Sequence, residues 1–385
     1  ESTEDLFDTG PFPHFERSLT LFRPACSRLV TRALVVICIG WVPLVILVFA
    51  DSLRNHIPIS SFLTDFGVHA RSLLAAPLLV LCEVPCLRRL TEIAHYFVTS
   101  GLISKDDQPR FDKLISSTRS LINSTLAEVV ALVLAYAVTL TMVRYVQYLQ
   151  VRMWYLSNTE ASNPSFAGWW YVLVSLPLLL VLFFSWIWRV FLWSRFLIKV
   201  ARLNLCLIAA HPDRTSGLKF LNTSLFAFSP VAFAIGVVAA GSAATRVYFL
   251  GATFEGIEKT IAGLLIFVFL LFVGPLLVFV FKLHRTKMMG IFAYGGLAAG
   301  VGRSFEEKWL ENYEEFASGA LEATDFSATT DLYGIVSNVH EMRVLPFDLR
   351  GLLTLAVSTL LPFIPVVLMT IPLKQLLQEI MKLLV

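Results

Sequence analysis

Apolar residues gather in seven long runs, separated by polar segments that hold most of the charged residues. Each run has roughly 20 residues, the length that an α-helix needs to cross a hydrocarbon core about 30 Å thick. The runs lack the strict alternation of a membrane barrel, so helices are the expected spanning elements. The predicted spans cover residues 33–50, 72–87, 126–148, 169–188, 226–248, 261–281 and 352–371.

Several spans are expected to continue as helices beyond the membrane. The second should reach Ser100, the third should begin with the amphipathic stretch 110–124, and the fourth should run on through Ile208. The predicted organisation has an N-terminal segment, a six-helix membrane domain, a polar segment built as a helical hairpin or three short helices, and a seventh helix followed by an amphipathic one. These parts cover residues 1–32, 33–281, 282–349 and 350–385. The predicted fold class is therefore all-α and polytopic, with cytoplasmic helical extensions.

Prolines occur in six of the predicted spans and can bend or break their helices. Pro362 and Pro365 lie three residues apart and should unwind a turn of the seventh span. That span is consequently the least secure, and a re-entrant loop there would return the C-terminus to the cytoplasm.

Composition agrees with a membrane protein. Of the 385 residues, 56% are hydrophobic and only 15% are charged, whereas soluble domains are about one quarter charged. With the N-terminus inside, 23 of the 31 Lys and Arg residues fall in cytoplasmic segments and 8 fall outside. This asymmetry follows the positive-inside rule, and it predicts a cytoplasmic N-terminus and an external C-terminus. The net charge is +3, and the basic residues flank the apolar runs, so the sequence gives no sign of nucleic-acid binding.

No established catalytic or metal-binding motif is found. The five cysteines lack metal-ligand spacing, and there is no nucleophile elbow, zinc His-Glu-x-x-His motif or dinucleotide glycine pattern. We therefore expect no catalytic residues, no metal and no cofactor, and the sequence favours a protein that is not an enzyme.

Charges at membrane depth are costly and are usually paired. Glu83 lies well inside the second span, Glu128 opens the third, and Arg189 closes the fourth, so all three could meet in the inner leaflet. Such a cluster is either a structural ion pair that fixes helix packing or an ion or proton relay. At the outer ends, Arg71, Arg144 and Arg246 either snorkel to the interface or form a basic ring that attracts anions.

The loop from His211 to Gly217 is the most distinctive of the polar connections. Asp213 can cap the following helix, and Gly217 is a turn residue. The alternative is a cytoplasmic ligand or partner site in which His211, Asp213 and Arg214 lie beside the backbone amides of a helix start.

Three segments resemble those of a group of bacterial multi-pass inner-membrane proteins. They are residues 69–77 (His-Ala-Arg-Ser-Leu-Leu-Ala-Ala-Pro), 211–218 (His-Pro-Asp-Arg-Thr-Ser-Gly-Leu) and 342–350 (Met-Arg-Val-Leu-Pro-Phe-Asp-Leu-Arg). Related loops often carry Gly-Gly where this chain has Ser216-Gly217. The resemblance implies a bacterial inner membrane and no particular activity.

These observations give two hypotheses. The first is an oligomeric ion channel or transporter-like pore, which rests on the buried charges, the prolines and the lack of a catalytic set. The alternative is a non-transporting scaffold or sensor that binds a partner through its cytoplasmic face. The expected partners are the lipid bilayer and either further copies of the chain or another membrane protein.

Overall fold

The computed structural model describes residues 25–55, 59–122, 124–148, 165–251, 254–310 and 324–370. These residues form helices and irregular connections without a β-strand. Six helices are long and apolar enough to cross a membrane, and a bent pair adds a seventh when it is counted as one span. The prediction of an all-α, polytopic membrane protein is confirmed.

Twelve helices are labelled in chain order. They are α1 (Ala25–Gly40), α2 (Val42–Asn55), α3 (Phe66–Thr99), α4 (Gln108–Ile122), α5 (Thr125–Tyr148), α6 (Phe166–Ala201), α7 (Thr223–Leu250), α8 (Phe254–Phe272), α9 (Val280–Trp309), α10 (Thr324–His340), α11 (Leu349–Leu360) and α12 (Ile364–Thr370). The first span consists of α1 and α2, and the seventh of α11 and α12.

The bundle has two distinguishable ends. Arg32, Glu83 and Arg189 meet towards one of them, which we call the basic end. Asp65 and Thr245 meet towards the other, which we call the far end. These contacts place the start of the first span beside the ends of the second and fourth spans, and the start of the second span beside the end of the fifth.

Proline reshapes α3 and α6 in the same way. Both helices contain a π-helical segment, Ala70–Ala75 in α3 and Tyr171–Ser175 in α6, and each ends two residues before a proline. The residue before each proline donates its backbone N–H five residues back, to the carbonyl oxygen of Arg71 or Tyr171. A proline ring crowds the carbonyl four residues earlier, so a widened turn is the expected response.

Helix α7 forms the centre of the bundle and packs against α3, α8 and α11. Gly236 allows the closest approach, because a Cβ there would overlap the carbonyl oxygen of Thr359. Gly241 does the same beside Ala70. Small residues at crossings let helix backbones pack tightly where there is no hydrophobic force to drive association.

The structure corrects two predicted helix extensions. The stretch 110–124 is not continuous with the third span, since α4 ends at Ile122 and α5 begins at Thr125. Helix α6 ends at Ala201, and the chain then continues in irregular structure to Ala209. There Ile103 and Leu205 form an isolated bridge, so backbone pairing across the loops replaces the helix.

The sixth predicted span is the bent one. Helix α8 ends at Phe272, and a 3₁₀ segment, Gly274–Phe279, carries Pro275 before α9 begins. The two limbs meet at 47°. The seventh span, expected to be the weakest, is a single candidate span with a 3₁₀ turn at Leu361–Phe363, where Pro362 was predicted to unwind it.

The polar segment after the sixth span contains two helices that lie side by side. Helix α9 has 30 residues and is therefore about 45 Å long. Helix α10 packs along it through Phe326, which contacts the rings of Phe305 and Trp309 at centroid distances of 5.0 Å. The predicted amphipathic helix at residues 373–384 lies outside the described residues.

Candidate functional site

Glu83 lies inside the bundle at a one-residue interruption of α3. One helical segment covers Ala76–Leu81, Cys82 forms a turn, and a new helical segment starts at Glu83. Its neighbours on the inner face, Leu79, Cys86 and Leu90, belong to the main apolar core. The glutamate is 2% exposed. An ionised carboxylate in such surroundings requires compensating charge.

Two arginines supply that charge. Arg189 of α6 forms an ion pair with Oε1 of Glu83. Arg32 of α1 lies with its Nη2 atom 3.2 Å from Oε2. Each carboxylate oxygen is thus bound by a different helix, and the three-residue cluster joins α1, α3 and α6 at one level.

An aromatic residue holds Arg189 in place. Its guanidinium carbon lies 5.1 Å from the centroid of the Trp186 ring. The Trp186 indole donates a hydrogen bond of 3.0 Å to the carbonyl oxygen of Leu79, one turn before Glu83. A cation over an indole face is a favourable arrangement, especially where water is excluded.

The structure therefore brings together only part of the predicted cluster of Glu83, Glu128 and Arg189. The structure brings Glu83 and Arg189 together, and it adds Arg32, which was not among the residues predicted for this cluster. Glu128 is half-buried in the first turn of α5, and its place in a pathway stays a prediction. The signal that could have found Arg32 is its depth, since it opens the first span at the end where Arg189 closes the fourth.

The geometry of this cluster favours the structural interpretation over the relay. Both carboxylate oxygens of Glu83 are engaged by guanidinium groups, which do not release protons in proteins. Arg189 is 6% exposed, so the pair lies away from the protein surface. The cluster is suited to fixing the relative positions of three spans.

Asp213 organises the second candidate site. Its Oδ1 accepts the backbone N–H groups of Thr215 and Gly217 at 2.8 and 3.1 Å, and its Oδ2 accepts that of Lys219 at 3.1 Å. Burial raises the pKa of Asp213, but these three donors outweigh it and hold the pKa below its ordinary value. His211 lies beside it, with Nδ1 2.8 Å from Oδ1.

The backbone of this loop is left-handed at three positions. The φ angles of Arg214, Ser216 and Gly217 are 58°, 56° and 91°. Only glycine adopts this region freely, and other residues need compensating contacts. Glycine at the position of Ser216 would therefore adopt this conformation without strain.

The loop docks onto the segment before the seventh span. The backbone N–H of Arg343 donates to the carbonyl oxygen of Arg214 at 2.7 Å, and the Arg214 side chain lies 2.9 Å from Glu341. Ser216 donates to the sulfur of Met342 at 3.3 Å. Segments 211–218 and 342–350, two of the three on which the resemblance rests, thus contact each other. The polar groups of the loop are used in contacts within the chain.

A second set of hydrogen bonds joins the start of α7 to the segment before the seventh span. The Asn222 amide donates to Oδ1 of Asp348 at 2.8 Å, and the backbone N–H of Asp348 lies 3.3 Å from the Asn222 oxygen. Asp348 also caps α11 by accepting the N–H of Gly351 at 3.0 Å, as its position before that helix predicted. A Cβ at Gly351 would overlap Asn222. The entry of the seventh span is therefore fixed to the start of α7.

At the far end, Arg71 is part of a polar network. Its Nε donates to the carbonyl oxygen of Gly67 at 2.8 Å, and its guanidinium lies 5.9 Å from the Tyr171 ring centroid. Asp65 accepts from Thr245 at 3.1 Å nearby. By contrast, Arg144 and Arg246 are exposed, and Arg246 makes a long contact of 3.4 Å to Thr260. A basic ring of these arginines stays a prediction.

His69 is also satisfied within the protein. The Trp41 indole donates to Nδ1 at 3.0 Å, and Nε2 lies 3.1 Å from the carbonyl oxygen of Phe62. Because Nδ1 accepts, Nε2 carries the proton and donates to Phe62. The contacts describe a neutral, structural histidine that connects the first and second spans.

Within the described residues, no group of three or more His, Cys, Asp and Glu side chains is arranged to hold a metal ion. Comparison with known proteins adds no family: no family model, no curated protein and no solved structure matches the chain. The resemblance noted in the sequence therefore rests on those three segments alone.

Proposed function

We propose that this integral membrane protein is a transport protein that works as a homo-oligomer, with a channel-like pore between copies. The observation that best supports this proposal is an apolar stripe on α9 that none of the described residues covers. Residues 288–301 contain no charged side chain, although they lie beyond the predicted end of the sixth span at residue 281.

The stripe follows the period of the helix. Phe281, Met288, Met289, Phe292 and Leu297 are all exposed, with Phe281 at 85% and Phe292 at 75%. Phe281, Met288 and Phe292 are spaced by seven and four residues and so share one face, with Met289 beside it, whereas Leu297 lies on another side of the helix. A Cβ at Gly296 would meet no atom within 4 Å, so another helix could approach closely there.

Other sides of α9 are already occupied. Gly290 packs against Ala209 and Val339, and Gly302 lies near the hydroxyl of Tyr333. Large apolar patches on the surface of a protein usually mark an interaction site. The open stripe begins at Phe281 at the end of the sixth span, so a neighbouring copy in the same membrane is well positioned to cover it.

A pore between copies is consistent with the internal chemistry. The buried charges Glu83, Arg189 and Arg32 are paired within one chain, so a pathway there would require breaking these pairs. Glu306 and Glu307 lie exposed near the end of α9, where they would attract cations to a pore mouth.

We also propose that the basic end faces the cytoplasm of a bacterial inner membrane. The distribution of 23 and 8 basic residues supports this orientation. The scaffold alternative receives less support, because the His211–Gly217 loop uses its polar groups in contacts with its own chain.

The test is ion flux from liposomes that contain the purified protein, measured separately for K⁺, Cl⁻ and protons. Phe292→Glu places a charge in the stripe and should abolish both the oligomer, measured by native mass spectrometry, and the flux. Ser327→Glu adds the same charge to an exposed position of α10 and should preserve both.

Two outcomes would overturn the proposal. Wild-type flux equal to that of empty liposomes would exclude transport of these ions, and an oligomer without flux would favour the scaffold. An oligomer that persists in Phe292→Glu would exclude the α9 stripe as its interface.

A further inference from the structure

An apolar groove follows α6 on the side that faces α8. Its inner part is a cavity of about 300 Å³ between Leu179, Phe183, Leu264 and Phe267, closed behind by α7. Its outer part has a volume of about 450 Å³ and extends along α6 from Ile187 to Ile198. The two parts are one helical turn apart on both helices, and together they extend for about 28 Å along α6.

The groove lining offers almost no free polar atom. Its two hydroxyl groups are Ser242 in the inner part and Ser194 in the outer part. Each already donates to its own helix, to the carbonyl oxygens of Val238 and Val190 at 2.9 and 2.7 Å. An occupant of this groove must therefore be apolar along its length, as an acyl chain is.

Positive charge follows where the groove reaches the basic end. Arg202 lies one turn beyond Ile198 and is exposed, and Lys282 lies one turn beyond Val278. The Lys282 ammonium binds the carbonyl oxygen of Leu203, which brings it next to Arg202. Arg285, on the following turn of α9, is exposed as well.

Little of this positive charge is cancelled locally. Asp107 acts electrostatically on Lys282, but its oxygens already accept the backbone N–H of Asn204 at 3.0 Å and pair with Arg110 at 3.0 Å. Neither Arg202 nor Arg285 has an acidic partner among the residues that the structure describes. Two guanidinium groups and an ammonium are thus available at the mouth of the groove, and arginine suits the planar, bidentate recognition of phosphate.

We propose that the groove binds one anionic membrane phospholipid. An acyl chain fills the space between α6 and α8, and the phosphate rests against Arg202, Lys282 and Arg285. Basic pockets between spanning helices are established sites for anionic headgroups. The groove supplies the chain contact and the cations supply the preference for a negative headgroup, so the two contributions can be measured separately.

The test uses the full chain in detergent, titrated with dioleoyl phosphatidylglycerol or dioleoyl phosphatidylcholine and read by native mass spectrometry. The two lipids have identical chains, so any difference reports the headgroup. We expect phosphatidylglycerol to bind more tightly. Arg202→Gln and Arg285→Gln should each reduce its affinity by about fivefold, with little effect on phosphatidylcholine. Both side chains are exposed, so the variants should fold normally.

Two further variants separate the contributions. Ser194→Trp fills the outer groove and should weaken both lipids alike. Lys259→Gln combined with Arg303→Gln removes two exposed cations elsewhere and should change neither affinity. Equal binding of the two lipids by the wild type would overturn the proposal, as would an equal loss from the Lys259 and Arg303 control. Glycerol phosphate binding as tightly as phosphatidylglycerol would also contradict it, because the groove would then contribute nothing. None of these readouts depends on ion flux.

Discussion

At the scale of single residues, a buried carboxylate explains three otherwise scattered charges. Glu83 could be expected to need a cation because ionised groups at membrane depth are costly. Arg189 was predictable as that cation from its level in the fourth span. Arg32 was not, because it precedes the first span and has the ordinary appearance of a flanking anchor. The pair of arginines makes the cluster positive rather than neutral.

Removing Arg189 should therefore cost more stability than removing Arg32. Arg189→Gln leaves Glu83 with its more exposed partner and should destabilise the protein by about 3–5 kcal/mol. Arg32 has a side chain that is 22% exposed, so Arg32→Gln should cost less than about 2 kcal/mol. Thermal unfolding in detergent measures the order.

The double variant Glu83→Gln with Arg189→Gln is the matched control for this pair. It removes both charges and should lose less stability than the two single changes together. Strict additivity, or an equal loss from Arg32→Gln and Arg189→Gln, would contradict the assignment of these contacts.

Asp213 gives a pH-dependent prediction. Because its pKa is lowered in the folded protein, its ionised form stabilises the fold fully above the ordinary pKa near 4, and this contribution is lost as the pH falls towards the folded value. Asp213→Asn should lower the melting temperature at pH 7, and its difference from the wild type should shrink below about pH 4. The exposed Asp106→Asn serves as control. A difference that is constant with pH would argue against the anion as the stabilising group.

At the scale of helices, glycine and proline decide how the spans meet. The π-helical segments in α3 and α6 result from Pro77 and Pro177, and the bend between α8 and α9 accompanies Pro275. The prolines are visible in the sequence, but the sequence does not indicate which of them bends a span. That outcome depends on whether neighbouring helices support the original direction, as α7 does for the seventh span.

Gly236 tests the packing of α7 on α11. Gly236→Ala would push a methyl group into the Thr359 carbonyl and should destabilise the protein by about 1–3 kcal/mol. Gly263→Ala in α8 adds the same methyl to open space and should be neutral or slightly stabilising, since alanine is the better helix former. Melting temperatures that fall equally in both variants would show that the close contact is not responsible.

At the scale of the whole molecule, hydrophobicity and charge were enough to predict the spans and their order. They could not reveal that residues 280–309 form one helix, because the glycines at 290–302 weaken the local helical signal while contacts with α10 and Ala209 stabilise it. They also could not show that the 211–218 loop lies against residues 341–343, because periodicity carries no information about distant contacts.

The central claim is that copies of the chain meet along the open stripe of α9. The most direct measurement is cross-linking of Gly296→Cys by a short bismaleimide in native membranes, with Cys26, Cys38 and Cys206 replaced by serine. Ser327→Cys on α10 is the control. We expect a covalent species of at least twice the monomer mass from Gly296→Cys and only monomer from Ser327→Cys. A Gly296→Cys protein that remains monomeric, or equal cross-linking at both positions, would contradict the claim.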